Sequence, residues 1–108
     1  MVMKRYCFDI DGTICNNTWG KYDEALPFLD RIESINKLYI QGNHVTYFTA
    51  RGMGTCKGDL LKAHEMWYNF TLDQLKKWGC KFHELRLGKP EADYYIDDKG
   101  ISDGNFFG

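Results

Sequence analysis

Phe8-Asp9-Ile10-Asp11-Gly12-Thr13 is the stretch on which the fold reading turns. It continues Lys4-Arg5-Tyr6-Cys7, an aromatic-rich run that stops abruptly at acidic residues and a glycine. A buried strand behaves in this way where its carboxyl end opens into a loop, so a first strand is predicted over Lys4 to Asp9. Two carboxylates and a turn glycine then sit just beyond it. By itself Asp11-Gly12 is an ordinary turn dipeptide.

The segment Asp11 to Lys21 is rich in Gly, Asn and Thr and reads as a turn region. A first helix is predicted to begin near Asp23 to Pro27, with Leu29, Ile32, Ile35, Leu38 and Tyr39 on its apolar face and Gly42 as its stop. His44 to Thr49 is β-branched and aromatic and reads as strand two. A helix follows from about Asp59 to Asn69. Thr71 and Gln74 then resemble a capping box for a separate short helix ending at Gly79. Lys81 to Leu87 and Tyr94 to Asp97 are predicted as strands three and four. The tail, Gly100 to Gly108, is left to add an edge strand or fray, with Phe106 and Phe107 docking it.

Strands alternating with helical stretches indicate right-handed βαβ units. The predicted class is α/β, a Rossmann-like three-layer α/β/α sandwich with a mainly parallel sheet. A chain of 108 residues makes one domain, spanning 1–108. Its 14 basic and 15 acidic residues give a net charge of -1, which disfavours a nucleic-acid partner that would want a basic stripe. No apolar run reaches bilayer length, and Met1 to Tyr6 enters a strand without a signal-peptide core, so the expectation is a cytoplasmic protein with no membrane partner. Cys7, Cys15, Cys56 and Cys80 fit neither a metal pair nor a dense disulfide framework and are read as reduced thiols. His44, His64 and His83 fall away from the strand ends and are read as structural.

In parallel α/β sheets the ligand crevice lies at the carboxyl ends of the strands. Asp9 and Asp11 follow strand one, Thr49 ends strand two, Lys89 follows strand three, and Asp97 and Asp98 end strand four. Four acids, one amine and one hydroxyl at one edge need a divalent cation to offset carboxylate repulsion, and oxygen-only ligands favour Mg²⁺. With a lysine and a carboxylate nucleophile, this is equipment for phosphoryl transfer. Asp9 would attack phosphorus, and Asp11 would serve as general acid and base with its pKa raised by neighbouring carboxylates.

Phe8 to Thr13 resembles the first motif, DxDGT, of the haloacid dehalogenase superfamily. Tyr47-Phe48-Thr49-Ala50-Arg51 resembles its second motif, Lys89 its third, and Tyr95-Ile96-Asp97-Asp98 its fourth, in order across positions 4 to 98. The resemblance implies a Mg²⁺-dependent phosphatase or phosphotransferase, because the carbon–halide branch lacks the second aspartate. It implies Asp9 as nucleophile and metal ligand, and Asp11 as acid/base and as a ligand through its main-chain carbonyl. Thr49, Ala50, Arg51 and Lys89 would form the phosphate side, and Asp97 and Asp98 would hold the metal. Arg51 is read two ways, as a contact to phosphate or leaving group and as a surface ion-pair partner.

The intervals Ile14 to Glu24 and Leu87 to Tyr94 are too short for a cap domain, so the site mouth is expected to be open. Trp19, Tyr22, Trp67, Tyr68 and Phe70 are candidates for a lid, for substrate stacking or for an interface, with Trp67 and Phe70 also readable as core. The open mouth and aromatic load suggest a homo-oligomer. The closer resemblance is to small bacterial and phage phosphatases of polysaccharide or capsule biosynthesis, implying a small-molecule phosphate ester, a sugar or polyol phosphate. Alternatives are a nucleotide or polynucleotide terminal phosphatase and a catalytically idle binding module on the same fold.

Overall fold

The computed structural model describes residues 3–108; Met1 and Val2, which lead into the predicted first strand, lie outside the described residues. Three strands form one parallel sheet in the order β1 (Arg5–Phe8), β2 (His44–Thr49), β3 (Glu84–Leu87). Phe8 lies opposite Tyr47, Tyr47 opposite Leu85, and Thr49 opposite Leu87. The register brings the carboxyl ends of all three strands to one edge, as the motif positions require.

Alternation of side chains along a strand sorts the sheet into two faces. One is apolar: Phe8, Val45, Tyr47, Leu85 and Leu87 share a single core cluster with Ile32 and Ile35 of α1 (Leu29–Ile40) and Leu75 of α2 (Leu60–Lys77). Both helices therefore cover the same face. Asn36 of α1 ties them together, donating to the Gly79 carbonyl at 2.9 Å and accepting from the Lys81 N–H at 2.8 Å. On the opposite face Arg5, Cys7 and Arg86 are exposed, and His44, Thr46 and Phe48 are half-buried. Among the described residues, no helix is long and apolar enough to cross a membrane.

Three elements depart from the sequence expectation. The stretch predicted as two helices is one, because the inward stripe Ala63, Trp67, Thr71, Leu75 continues at four-residue spacing without a break. Asp59 caps its start by accepting the Lys62 N–H at 3.2 Å, while Thr71, predicted as a cap, is fully buried mid-helix. Tyr94 to Asp97 is not a strand but an exposed irregular segment, with Ile96 at 94% exposure. The tail forms a short helix, α3 (Asp103–Phe107), rather than an edge strand. Phe106 and Phe107 do dock it: their rings lie 5.5 and 6.2 Å from that of Phe8, and Arg31 of α1 pairs with Asp103 at 2.7 Å.

Candidate active site

The chain leaves β1 through Asp9 and immediately folds back on itself. Thr13 and Ile14 donate to the Ile10 carbonyl, Gly12 donates to the Cys15 carbonyl at 2.8 Å, and Ile10 and Ile14 are fully buried. Gly12 sits at φ +84°, a conformation that side chains disfavour, and a Cβ there would meet Asn17 at 3.0 Å. Buried isoleucines on either side of Asp11 and a glycine turn after it make the loop a fixed platform.

Two ion pairs stand on that platform. Lys89 Nζ lies 3.3 Å from Asp9 Oδ2 and 4.1 Å from the centre of the Tyr95 ring. Asp9 Oδ1 accepts the Ile10 N–H at 2.8 Å. Burial nonetheless holds the Asp9 carboxyl above its ordinary pKa, outweighing the opposing pull of the Lys89 ammonium and the Ile10 N–H; Asp11 adds a smaller upward push. Asp11 is gripped by Arg51, whose Nε and Nη2 donate to Oδ2 and Oδ1, both at 3.0 Å. The Arg51 side chain is 0% exposed against 20% for Asp11. Of the two sequence readings of Arg51, the surface ion-pair partner is corrected: it is an ion-pair partner in the interior.

Thr49 is fully buried; its Oγ1 accepts the Arg51 N–H at 3.1 Å, and its carbonyl accepts the Lys89 N–H at 3.1 Å. These two bonds lock the second- and third-motif loops to the end of β2. Ala50 packs against Met53, Cys56 and Ala63. Gly52, at φ +80°, is required where it stands, since a Cβ would come within 2.6 Å of Trp67 Cδ1. The strand ends thus gather Asp9, Asp11, Thr49, Ala50, Arg51 and Lys89.

Asp97 and Asp98 are not gathered. Both are exposed, and Asp97 Oδ1 is taken up locally by the N–H groups of Lys99 and Gly100. Among the described residues, no three His, Cys, Asp or Glu side chains stand close enough to share a cation. A magnesium ion held jointly by Asp9, Asp11, Asp97 and Asp98 does not fit this arrangement, because the segment bearing the last two is not part of the sheet.

Sequence reasoning missed Thr71 and Gln74 as site residues. Arg51 Nη1 donates to Gln74 Oε1 at 2.7 Å and to Thr71 Oγ1 at 3.3 Å. A signal existed: two polar residues one helical turn apart, on the stripe that otherwise carries Trp67 and Leu75, mark a buried polar partner. Tyr22, an aromatic candidate in the sequence, lies with its ring centre 4.7 Å from the Arg51 guanidinium carbon. Trp19 is 91% exposed and sits at φ +57°, an uncommon backbone for a bulky residue. His44 and His83 lie at the other end of the strands, where His83 Nδ1 accepts the Val45 N–H at 3.1 Å and its ring stacks on that of His44, while exposed His64 stacks on Tyr68 along α2.

Fold and site together define a parallel α/β protein with a carboxylate–lysine pair and a buried carboxylate–arginine pair at its strand ends. No family model and no curated protein matches the chain. The crystal structure of an MCSG target from Vibrio cholerae is similar to it, with a TM-score of 0.89 and 30% identity over 97% of this chain and 88% of that one. At that identity and coverage the chain belongs to one family with the Vibrio cholerae protein.

Proposed function

We propose that the protein is a phosphatase of the haloacid dehalogenase type, hydrolysing a small phosphorylated metabolite through a phosphorylated Asp9. The observation that carries this reading is the Asp9–Lys89 pair at 3.3 Å, with a second carboxylate two residues further on, at the carboxyl ends of parallel strands. Asp9 attacks phosphorus in line, and the Lys89 ammonium offsets the charge that builds on the phosphoryl oxygens. Thr49 keeps a hydroxyl proton to donate toward the phosphate. Asp11 protonates the departing alkoxide and then takes a proton from the attacking water.

Magnesium, implied by the sequence resemblance, would supply further charge neutralisation when bound. The short loops leave the mouth open, and exposed Trp19 offers a flat apolar face to a sugar or polyol phosphate. Four unpaired cysteines suit a reducing, cytoplasmic setting.

The test is a panel of sugar, polyol and nucleotide phosphates assayed with and without Mg²⁺, comparing wild type with Asp9→Asn. Hydrolysis of a sugar or polyol phosphate, lost in the variant, is the expected result, and the arms with and without Mg²⁺ read whether the reaction uses the ion. Near wild-type turnover by Asp9→Asn would overturn the covalent route.

A further inference from the structure

The second-motif loop does not run straight into α2. After Arg51 it makes a chain of tight turns: the Met53 N–H donates to the Ala50 carbonyl at 2.9 Å, Cys56 to Gly52 at 2.8 Å, and Gly58 to Met53 at 2.8 Å. Met53 and Cys56 are buried beneath it with Ala63. Lys57 is held at φ +52°, a backbone conformation uncommon outside glycine, so the turns on either side of it fix where its exposed side chain starts.

Between this loop and the third-motif loop lies a cavity of about 460 Å³, lined by Met53, Gly54, Lys57, Gly58, Pro90 and Glu91. Small-molecule sites span roughly 300–1,000 Å³. Both walls continue into the candidate active site: Pro90 follows Lys89, whose ammonium stands 3.3 Å from Asp9, and Met53 is tied to Ala50. The Glu91 carboxylate lies over Gly54, where a Cβ would run into it. Among the described residues neither Lys57 nor Glu91 is in an ion pair, so the cavity carries two uncommitted charges of opposite sign.

The lining decides what fits. A nucleobase wants a ring to stack on, and these six residues supply none. A run of hydroxyl groups wants acceptors and donors. A carboxylate accepts O–H hydrogens, an ammonium donates to hydroxyl oxygens, and such charge-assisted bonds are stronger than neutral ones. One charge of each sign suits a leaving group that is itself uncharged.

We propose that this cavity is the leaving-group subsite, that it takes an uncharged polyhydroxylated chain or ring, and that Glu91 and Lys57 bind its hydroxyl groups. This rests on the phosphatase reading, and it names the part of the ester that does not react. A polar subsite of this kind rejects a substrate that lacks the hydroxyls, because its charged groups are then covered without partners.

The experiment assays glucitol phosphate, adenosine monophosphate and p-nitrophenyl phosphate with wild type, Glu91→Ala and Lys57→Met, reading kcat/KM. Wild type should prefer glucitol phosphate to adenosine monophosphate. Glu91→Ala should lower the ratio of kcat/KM for glucitol phosphate to that for p-nitrophenyl phosphate by about tenfold or more, and Lys57→Met, which keeps the stem and loses the ammonium, by about threefold or more. A ratio unchanged in either variant, or a wild-type preference for the nucleotide, would overturn the subsite and leave the phosphatase reading standing. Absence of wild-type hydrolysis on every ester would remove both.

Discussion

Residues 5–89 and residues 90–102 each carry motif residues at predicted strand ends, yet only the first region brings them together. In the first, each functional residue adjoins a buried apolar one: Asp9 and Asp11 flank Ile10, Thr49 follows Tyr47 on the same face, and Arg51 lies beside the fully buried Cys15. In the second, Tyr94 and Ile96 are largely exposed, and Asp97 and Asp98 follow no paired strand. A carboxylate is aimed by the strand beneath it. Where apolar side chains find no core to enter, the polar residues beside them are not placed either.

The contrast can be broken or sharpened by experiment, and its largest lever is activity. Asp9→Asn should lower turnover by about 10⁴-fold or more, as loss of a covalent nucleophile does. Asp97→Asn should change turnover little if the second region stays apart as described; a loss of tenfold or more would show that it joins the site in the working enzyme. Stability separates the regions next. Ile35→Ala removes a fully buried side chain and should cost about 2–5 kcal/mol in urea denaturation, whereas Ile96→Ala should stay within about 0.5 kcal/mol. A large effect at Ile96 would place that segment in a fourth strand.

Thiol reactivity follows. Exposed Cys7 should alkylate first, read by mass spectrometry. Burial, followed by the charge of Asp11, pushes Cys15 up to about 12, and burial pushes Cys80 up to about 11, so both should resist labelling until the chain unfolds. The smallest effect concerns α3. Its Asp103 is held below the ordinary carboxylate pKa of 3.8, chiefly by the hydrogen bond from Arg31. A lowered folded pKa means that the contribution is present above 3.8 and lost as pH falls through the lower value. Docking of α3, followed by chemical shifts of Phe106 and Phe107, should therefore persist at neutral pH and loosen only in strong acid. Asp103→Asn should abolish that acid step.

Much of this protein was legible from local pattern. Alternation and β-branching marked β2, the run into Asp9 marked β1, and the spacing of Ile32 and Ile35 marked α1, because each element's apolar side chains answer to its own period. The same logic placed Asp9, Asp11, Thr49 and Lys89 at strand ends, where a parallel register must bring them together. Only the tertiary structure decided who pairs with whom. Arg51 lies 40 positions from Asp11, and no local period says that its guanidinium reaches that carboxylate. Thr71 and Gln74 read as a helix start until a buried cation claimed them, joining two predicted helices into one. Tyr94 to Ile96 has the composition of a strand, but a strand exists only where a neighbour offers its edge, and the chain leaves β1's outer edge without one. Propensity is a property of the segment; pairing, burial and charge compensation belong to the partners that folding brings.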